Sequence, residues 1–271
     1  MNNIPGIIKE DHSSYVLYYI EHLSDEFKGE IKKRLVEVCH GANQAASTSK
    51  IYSYQATLKE FIERYKSNRK NSIDRKKGMI GELLVHMILA IEGKYVAASP
   101  FFNMEEKSFK KGFDITLYEP STDSLWITEI KSGEIKSGQK NASSAVVGLI
   151  NSAKNDLKDR LNNPKRTLWL NALNAARTAM NNSSSQKDAV IDLLEQCSDK
   201  AENGTLSSNS FKVILSGSLF HPLVDRMDAK KVCVKQKRII NENLFDSVIV
   251  IAVQEETYDE LYEFLESEVK K

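Results

Sequence analysis

Cysteine is scarce in this chain: Cys39, Cys197 and Cys233 are the only three among 271 residues. They are odd in number and far apart, with no CxxC pair. That argues against a disulfide framework or a structural zinc site and fits a reduced, cytoplasmic compartment. Net charge is also lacking. Lys and Arg total 38 against 37 Asp and Glu, a formal balance of +1. No global basic field therefore drives tight, non-specific binding of nucleic acid by the chain alone; a local patch or a partner has to supply it. No stretch approaches the roughly 18 apolar residues of a membrane span. The opening MNNIPGIIKEDHSS has no basic segment leading into an apolar run, so neither a secretory signal nor a membrane is expected. A GxxxxGK[ST] phosphate loop and a GxSxG elbow are both missing, and nothing points to a small-molecule cofactor.

What is present is enough apolar material for a core, 41% of the residues. The length suits one large domain, or one domain with a helical extension. Residues 14–70 read as amphipathic helix: Tyr15, Leu17, Tyr18, Ile20 and Leu23 open the pattern, and Ile31, Leu35, Val36 and Val38 continue it. GANQAASTSK, residues 41–50, breaks it with small side chains, and Leu58, Phe61, Ile62 and Tyr65 resume it. Residues 1–70 are thus expected as a helical N-terminal extension, partner-binding or regulatory, and 71–271 as the main domain. Within 64–77, seven basic residues face the single acid Asp74. This run is either a solvated helix face and loop or a phosphate-contacting strip.

Residues 79–91 are apolar nearly all round, which predicts a buried helix. Glu82 and His86 interrupt it, four apart and so on one face. FDITLY, 113–118, alternates as a strand; 120–124 is turn chemistry; LWITEIK, 125–131, is a second strand. Together they predict an antiparallel hairpin. Helices are expected over 142–162, 166–181 and 189–197, and a flexible linker over 198–210. Core strands are expected at 211–219 and 247–253, and an acidic amphipathic helix over 255–271.

Four residues in this frame carry chemistry: Glu82, Asp114, Glu129 and Lys131. Acids and a lysine in apolar settings are costly to bury unless they are paired or bind a metal. Asp114 and Glu129, on neighbouring strands, can offer two hard oxygen ligands to Mg2+ or Mn2+. The carbonyl of Ile130 can offer a third, and Glu82 can bind directly or through water. Lys131 lies two residues beyond Glu129, so both side chains leave the same strand face. An ammonium there can orient an attacking water or stabilise developing charge, while the ion activates that water at a phosphodiester. Each element alone is weak. An isolated Asp or ExK arises by chance, Glu82 alone fits an ion-paired helix residue, and a lone histidine such as His86 is more often core than ligand. Cys39-His40 reads as structural. Lys107, Lys110, Lys111, Lys136 and Lys140 surround the site, either contacting phosphates or keeping a loop soluble. Phe101 and Phe102 read as core rather than base-stacking residues.

A helix Glu, then Asp, then Glu-x-Lys at hairpin spacing resembles the PD-(D/E)xK nuclease superfamily over roughly residues 75–135. Phe113 stands where that pattern has Pro. The resemblance implies an α/β (α+β) fold, a restriction-endonuclease-like mixed central sheet flanked by helices. It also implies metal-dependent hydrolysis with Glu82, Asp114, Glu129 and Lys131 as the site. The chain resembles the HamA family more closely, the nuclease-like subunit of the Hachiman antiphage system. The segments that carry this are KKGMIGELLVHMIL, KGFDITLY, LWITEIKSG and the strand ending Leu219-Phe220-His221-Pro222. This implies a bacterial defence protein that hydrolyses DNA with little sequence specificity and is restrained by a superfamily 2 helicase partner, HamB-like. The alternative is a non-catalytic adaptor that keeps the nuclease fold and clamps or gates a helicase on DNA. A restriction-type enzyme with its own specificity domain is a third reading. The small, neutral N-terminal region, with no zinc finger or clear helix-turn-helix, speaks against it.

Overall fold

A computed structural model describes residues 4–66, 73–102, 112–163, 166–182, 184–256 and 258–270. The chain opens with a hairpin of Ile7–His12 (β1) and Tyr15–Ile20 (β2). Four helices follow: Asp25–His40 (α1), Ala42–Ala45 (α2), Tyr54–Lys66 (α3) and Ile73–Glu92 (α4). Next come Val96–Ala97 (β3), Ile115–Glu119 (β4) and Ser124–Gly133 (β5). Ala142–Asn162 (α5), Arg166–Ala179 (α6) and Ser185–Glu202 (α7) lead to Lys212–Phe220 (β6). Ala229–Asn241 (α8), Ser247–Glu255 (β7) and Asp259–Val269 (α9) complete the described elements.

The seven described strands form one sheet in the order β1-β2-β7-β6-β5-β4-β3. Strands β2, β7, β6 and β5 run parallel, and an antiparallel neighbour flanks them at each side. This is the mixed sheet with flanking helices that the sequence implied. The runs KVILSGSLF and SVIVIAVQE are buried almost throughout, as parallel strands covered on both faces must be. One face packs under α5, α6, α7 and α8 through Val146, Ile150, Leu157, Trp169 and Leu194. The other packs under α1, α3, α4 and α9 through Phe27, Leu35, Phe61, Leu84 and Leu265.

Three local expectations differ from the structure. Residues 14–23 do not begin a helix; 15–20 form β2, which pairs with β7 from Tyr15↔Val250 to Ile20↔Glu255. YVLYYI is rich in aromatic and β-branched residues, and its apolar positions fit either period over so short a run; the vacant edge of β7 decides. Helical structure in the N-terminal region starts at Asp25, where Ser24 caps α1 by accepting from the Phe27 amide. Nor are residues 198–210 all linker: α7 continues to Glu202, and Ser208–Ser210 form a 3-10 turn. The connection between β4 and β5 is also tighter than expected, because Ser124 already pairs with Glu119.

Candidate active site

The β4–β5 hairpin sets the register of the site. Ile115 pairs with Thr128, so one step further out Asp114 stands opposite Glu129. Asp114 occupies the bend just before β4, and its Oδ2 accepts a hydrogen bond from the Ile130 amide at 2.8 Å. Glu129 is fully buried. Its Oε1 accepts from Lys131 Nζ at 2.8 Å and also from the Arg160 guanidinium of α5. Among the described residues its Oε2 is buried with no hydrogen-bond partner. Arg160 donates as well to the carbonyl of Gly112 at 3.0 Å, and so ties the approach to Asp114 to the Glu129 carboxylate. Lys131 Nζ reaches a second acid, Asp156 Oδ2 on α5, at 2.7 Å.

The electrostatics follow from this packing. Burial, and then the neighbouring Asp114, push the Glu129 carboxyl up to about 7, against the pull of Arg160 and Lys131. Burial acts to lower the Lys131 ammonium, but attraction to Glu129 and Asp156 outweighs it and the net shift is upward. Lys131 therefore stays charged throughout the neutral range.

Helix α4 packs on the opposite face of the sheet from α5. Gly81 lets it approach closely. A Cβ there would lie 2.0 Å from Ser132 Oγ on β5 and 3.2 Å from Ser218 Cβ on β6. The next residue, Glu82, lines a cavity of about 140 Å³ together with Asp114, Ser99, Phe101 and Asn171. Glu129 and Lys131 are not in its wall. The structure thus groups Asp114, Glu129 and Lys131 tightly and sets Glu82 in a cavity shared with Asp114. His86 is buried in α4, with its ring edge-on to Phe101 at 5.6 Å and 87°. Phe101 and Phe102 belong to the core beneath α4. Cys39 is fully buried, and His40 packs edge-on against Tyr52 and Phe102, as structural residues do.

Among the described residues no three His, Cys, Asp or Glu side chains converge as a ready-made metal centre. Magnesium does not require three: one or two carboxylates, waters and phosphate oxygens complete its octahedron. Two adjacent acids, one with a buried oxygen that has no partner among the described residues, suit that demand.

No sequence signal marks Arg160 and Asp156. They stand four apart on one face of α5, among the alternating charges of NDLKDRLN, which read as solvated surface. The basic run 64–77 is largely neutralised where it is described. Arg64 pairs with Glu60, Lys66 with Glu266 and Lys77 with Glu134, and Lys76 lies over the Tyr65 ring. Lys136 and Lys140 are exposed beyond β5; Lys107, Lys110 and Lys111 lie outside the described residues. No described helix is long and apolar enough to cross a membrane.

The HamA family matches residues 4–269, and the chain belongs to it. The protein is thereby a component of Hachiman antiphage defence. No curated protein matches the chain significantly.

Proposed function

We propose that this HamA-family chain is a Mg2+- or Mn2+-dependent deoxyribonuclease that works under the restraint of a superfamily 2 helicase. The observation that carries this reading is the convergence of Asp114, Glu129 and Lys131, with Glu129 Oε2 buried and unpartnered among the described residues. Asp114 and Glu129 would hold the ion, joined by the Ile130 carbonyl and by Glu82 directly or through water. The ion would supply a nucleophilic water and charge neutralisation at the scissile phosphate.

The chain's own residues do the rest. Glu129 binds in its ionised form and is held in one orientation by Lys131 and Arg160. The amide of Ile130 fixes the Asp114 carboxylate beside it. Lys131, kept protonated by its two acids, presents N–H groups that orient water or meet charge developing on phosphate. The hairpin and α5 give these groups rigid supports, as a site that stabilises a transition state needs. The near-neutral charge of the whole chain suits an effector whose own hold on DNA is weak and is completed by its helicase partner. The first 70 residues are the region proposed for partner binding or regulation.

The test is nicking of plasmid DNA by the chain, or by its complex with the helicase, with magnesium or manganese. Asp114→Ala, Glu129→Ala and Lys131→Ala should each abolish nicking while circular dichroism shows an intact fold. Cleavage that persists in all three variants refutes the site.

One observation favours the second reading, a non-catalytic adaptor that clamps or gates the helicase. Glu129 Oε1 already meets two cations, and Lys131 is shared with Asp156, so the network is partly self-neutralised. Calorimetric titration with Mn2+ separates the two. Binding lost in Asp114→Ala supports the nuclease, and no binding in the parent supports the adaptor.

A further inference from the structure

The positive charge that the chain lacks as a whole is concentrated on one helix. α8 carries Lys230, Lys231, Lys235, Lys237 and Arg238, with no acid between its cap Asp228 and Glu242. Val232, Gln236 and Ile239 face the core, whereas Lys230, Lys231, Lys237 and Arg238 are exposed. At 3.6 residues per turn these four cations fall within an arc of roughly 120°. Among the described residues none of the four has an ion-pair partner.

Two further features of the helix accompany this face. Lys230 and Lys231 stand in the first turn of α8, where the helix dipole disfavours cations, so the arrangement costs the isolated chain stability. Burial, and then repulsion from Lys154 and Arg238, hold the Lys235 ammonium below the usual lysine value despite attraction to Glu242. The run 64–77 differs, because Arg64, Lys66 and Lys77 pair with acids and Lys76 lies over the Tyr65 ring.

The position of α8 supplies the function. Lys235 donates to Asn151 of α5 at 2.6 Å, and Lys154 of α5 donates to Glu242 at 2.5 Å. These bonds hold α8 against the helix that delivers Asp156 and Arg160 to Asp114, Glu129 and Lys131, on the same side of the sheet. A row of cations without ion-pair partners among the described residues, on the same side of the sheet as the site, is complementary to a polyanion whose charges repeat along a line.

We propose that the exposed face of α8 binds the phosphate backbone of DNA and leads it toward the Asp114–Glu129–Lys131 site. The inference rests on DNA being the substrate, and it is tested without catalysis. Binding of a labelled duplex of ~20 base pairs by the purified chain is measured in EDTA across ~50–200 mM salt, the range over which phosphate contacts show their salt dependence. The combined variant K230A/K231A/K237A/R238A should bind at least ~tenfold more weakly than the parent at the low-salt end. Its slope of log affinity against log salt should be shallower by ~2–4, at ~0.9 for each lost phosphate contact. Lys237→Ala with Arg238→Ala should give about half of that slope change, which guards against a folding defect in the larger variant. Lys50→Ala with Lys59→Ala, on the far side of the sheet, should leave the slope unchanged.

The proposal is overturned if the parent does not bind at low salt, or if the combined variant binds within ~twofold of it. It is also overturned if affinity falls with no change in slope, which would point to an acidic protein surface as the true occupant. Cleavage is not read in EDTA, so a chain that binds through α8 yet never cuts would defeat the nuclease reading alone.

Discussion

Arg160 and Lys131 reach the Glu129 carboxylate from different elements and meet on the same oxygen, Oε1, leaving Oε2 without a partner among the described residues. Arg160 differs from Lys131 in that it also grips Gly112. It is thus a strut between the hairpin's open end and α5, and its energetic coupling to Glu129 should depend on whether Glu129 is ionised. Removing Arg160 removes a cation that lowers the Glu129 carboxyl, so that group rises further above about 7. Arg160→Ala should destabilise the fold by about 1–3 kcal/mol at pH 8, where the parent's Glu129 is charged. In a cycle with Glu129→Gln, urea unfolding at pH 8 should show a coupling of about 1 kcal/mol. At pH 5.5, where Glu129 is protonated, the coupling should shrink. Additivity within about 0.5 kcal/mol at both pH values would mean that the contact is incidental.

Gly81 and Ser132 illustrate how a side chain that is not there can place one that is. The helix α4 can lie on β5 and β6 only because residue 81 has no Cβ, and Glu82 is delivered to its cavity by that approach. Gly81→Ala would gain about 1 kcal/mol of helix propensity. The new methyl group, however, would overlap Ser132 Oγ at 2.0 Å and Ser132 Cβ at 2.7 Å. Overpacking of this kind typically costs about 1–3 kcal/mol, and the helix has to shift. The expected result is a lower melting temperature and weaker activity in Gly81→Ala, with part of both restored by adding Ser132→Gly. If the single variant is as stable as the parent, or if Ser132→Gly brings no recovery, close packing at Gly81 is not what positions Glu82.

The parts of this molecule legible in the sequence are those set by local pattern. The apolar helix around Glu82, the hairpin that sets Asp114 opposite Glu129, and the β-branched core strands all announce themselves through period and turn chemistry. Long-range pairing does not. Strand β2 is a strand because β7 offers it an edge 235 positions away, from Tyr15 to Val250, and no window around Tyr15 contains that information. Arg160 and Asp156 were hidden for a related reason: a charge on an amphipathic helix looks the same whether it faces water or a buried carboxylate. Basic runs mislead in the same way. Residues 64–77 form the larger cluster in sequence, yet Arg64, Lys66 and Lys77 are taken up by ion pairs. Among the described residues, the four exposed cations of α8 have no ion-pair partner.

Among the described residues, the most deeply buried acid outside the candidate site gives the clearest pH test. Glu255 ends β7 with its backbone carbonyl accepting from the His221 amide at 2.9 Å, but neither carboxyl oxygen has a partner among the described residues. Burial, and then the charge of Glu260, hold this carboxyl well above the ordinary glutamate value. The sign follows from linkage. Above about pH 4.5 the unfolded chain releases this proton while the folded chain keeps it, so the folded state loses stability as pH rises, until its own raised value is passed. The loss is on the order of 1 kcal/mol per pH unit within that window. Glu255→Gln keeps the shape and a neutral charge at every pH, so it removes this titration. Urea unfolding at pH 5, 6.5 and 8 should therefore find the variant's advantage over the parent widening as pH rises. Parallel stability profiles for the two proteins would show instead that Glu255 is charged in the native state and that its carboxylate has found a partner in solution.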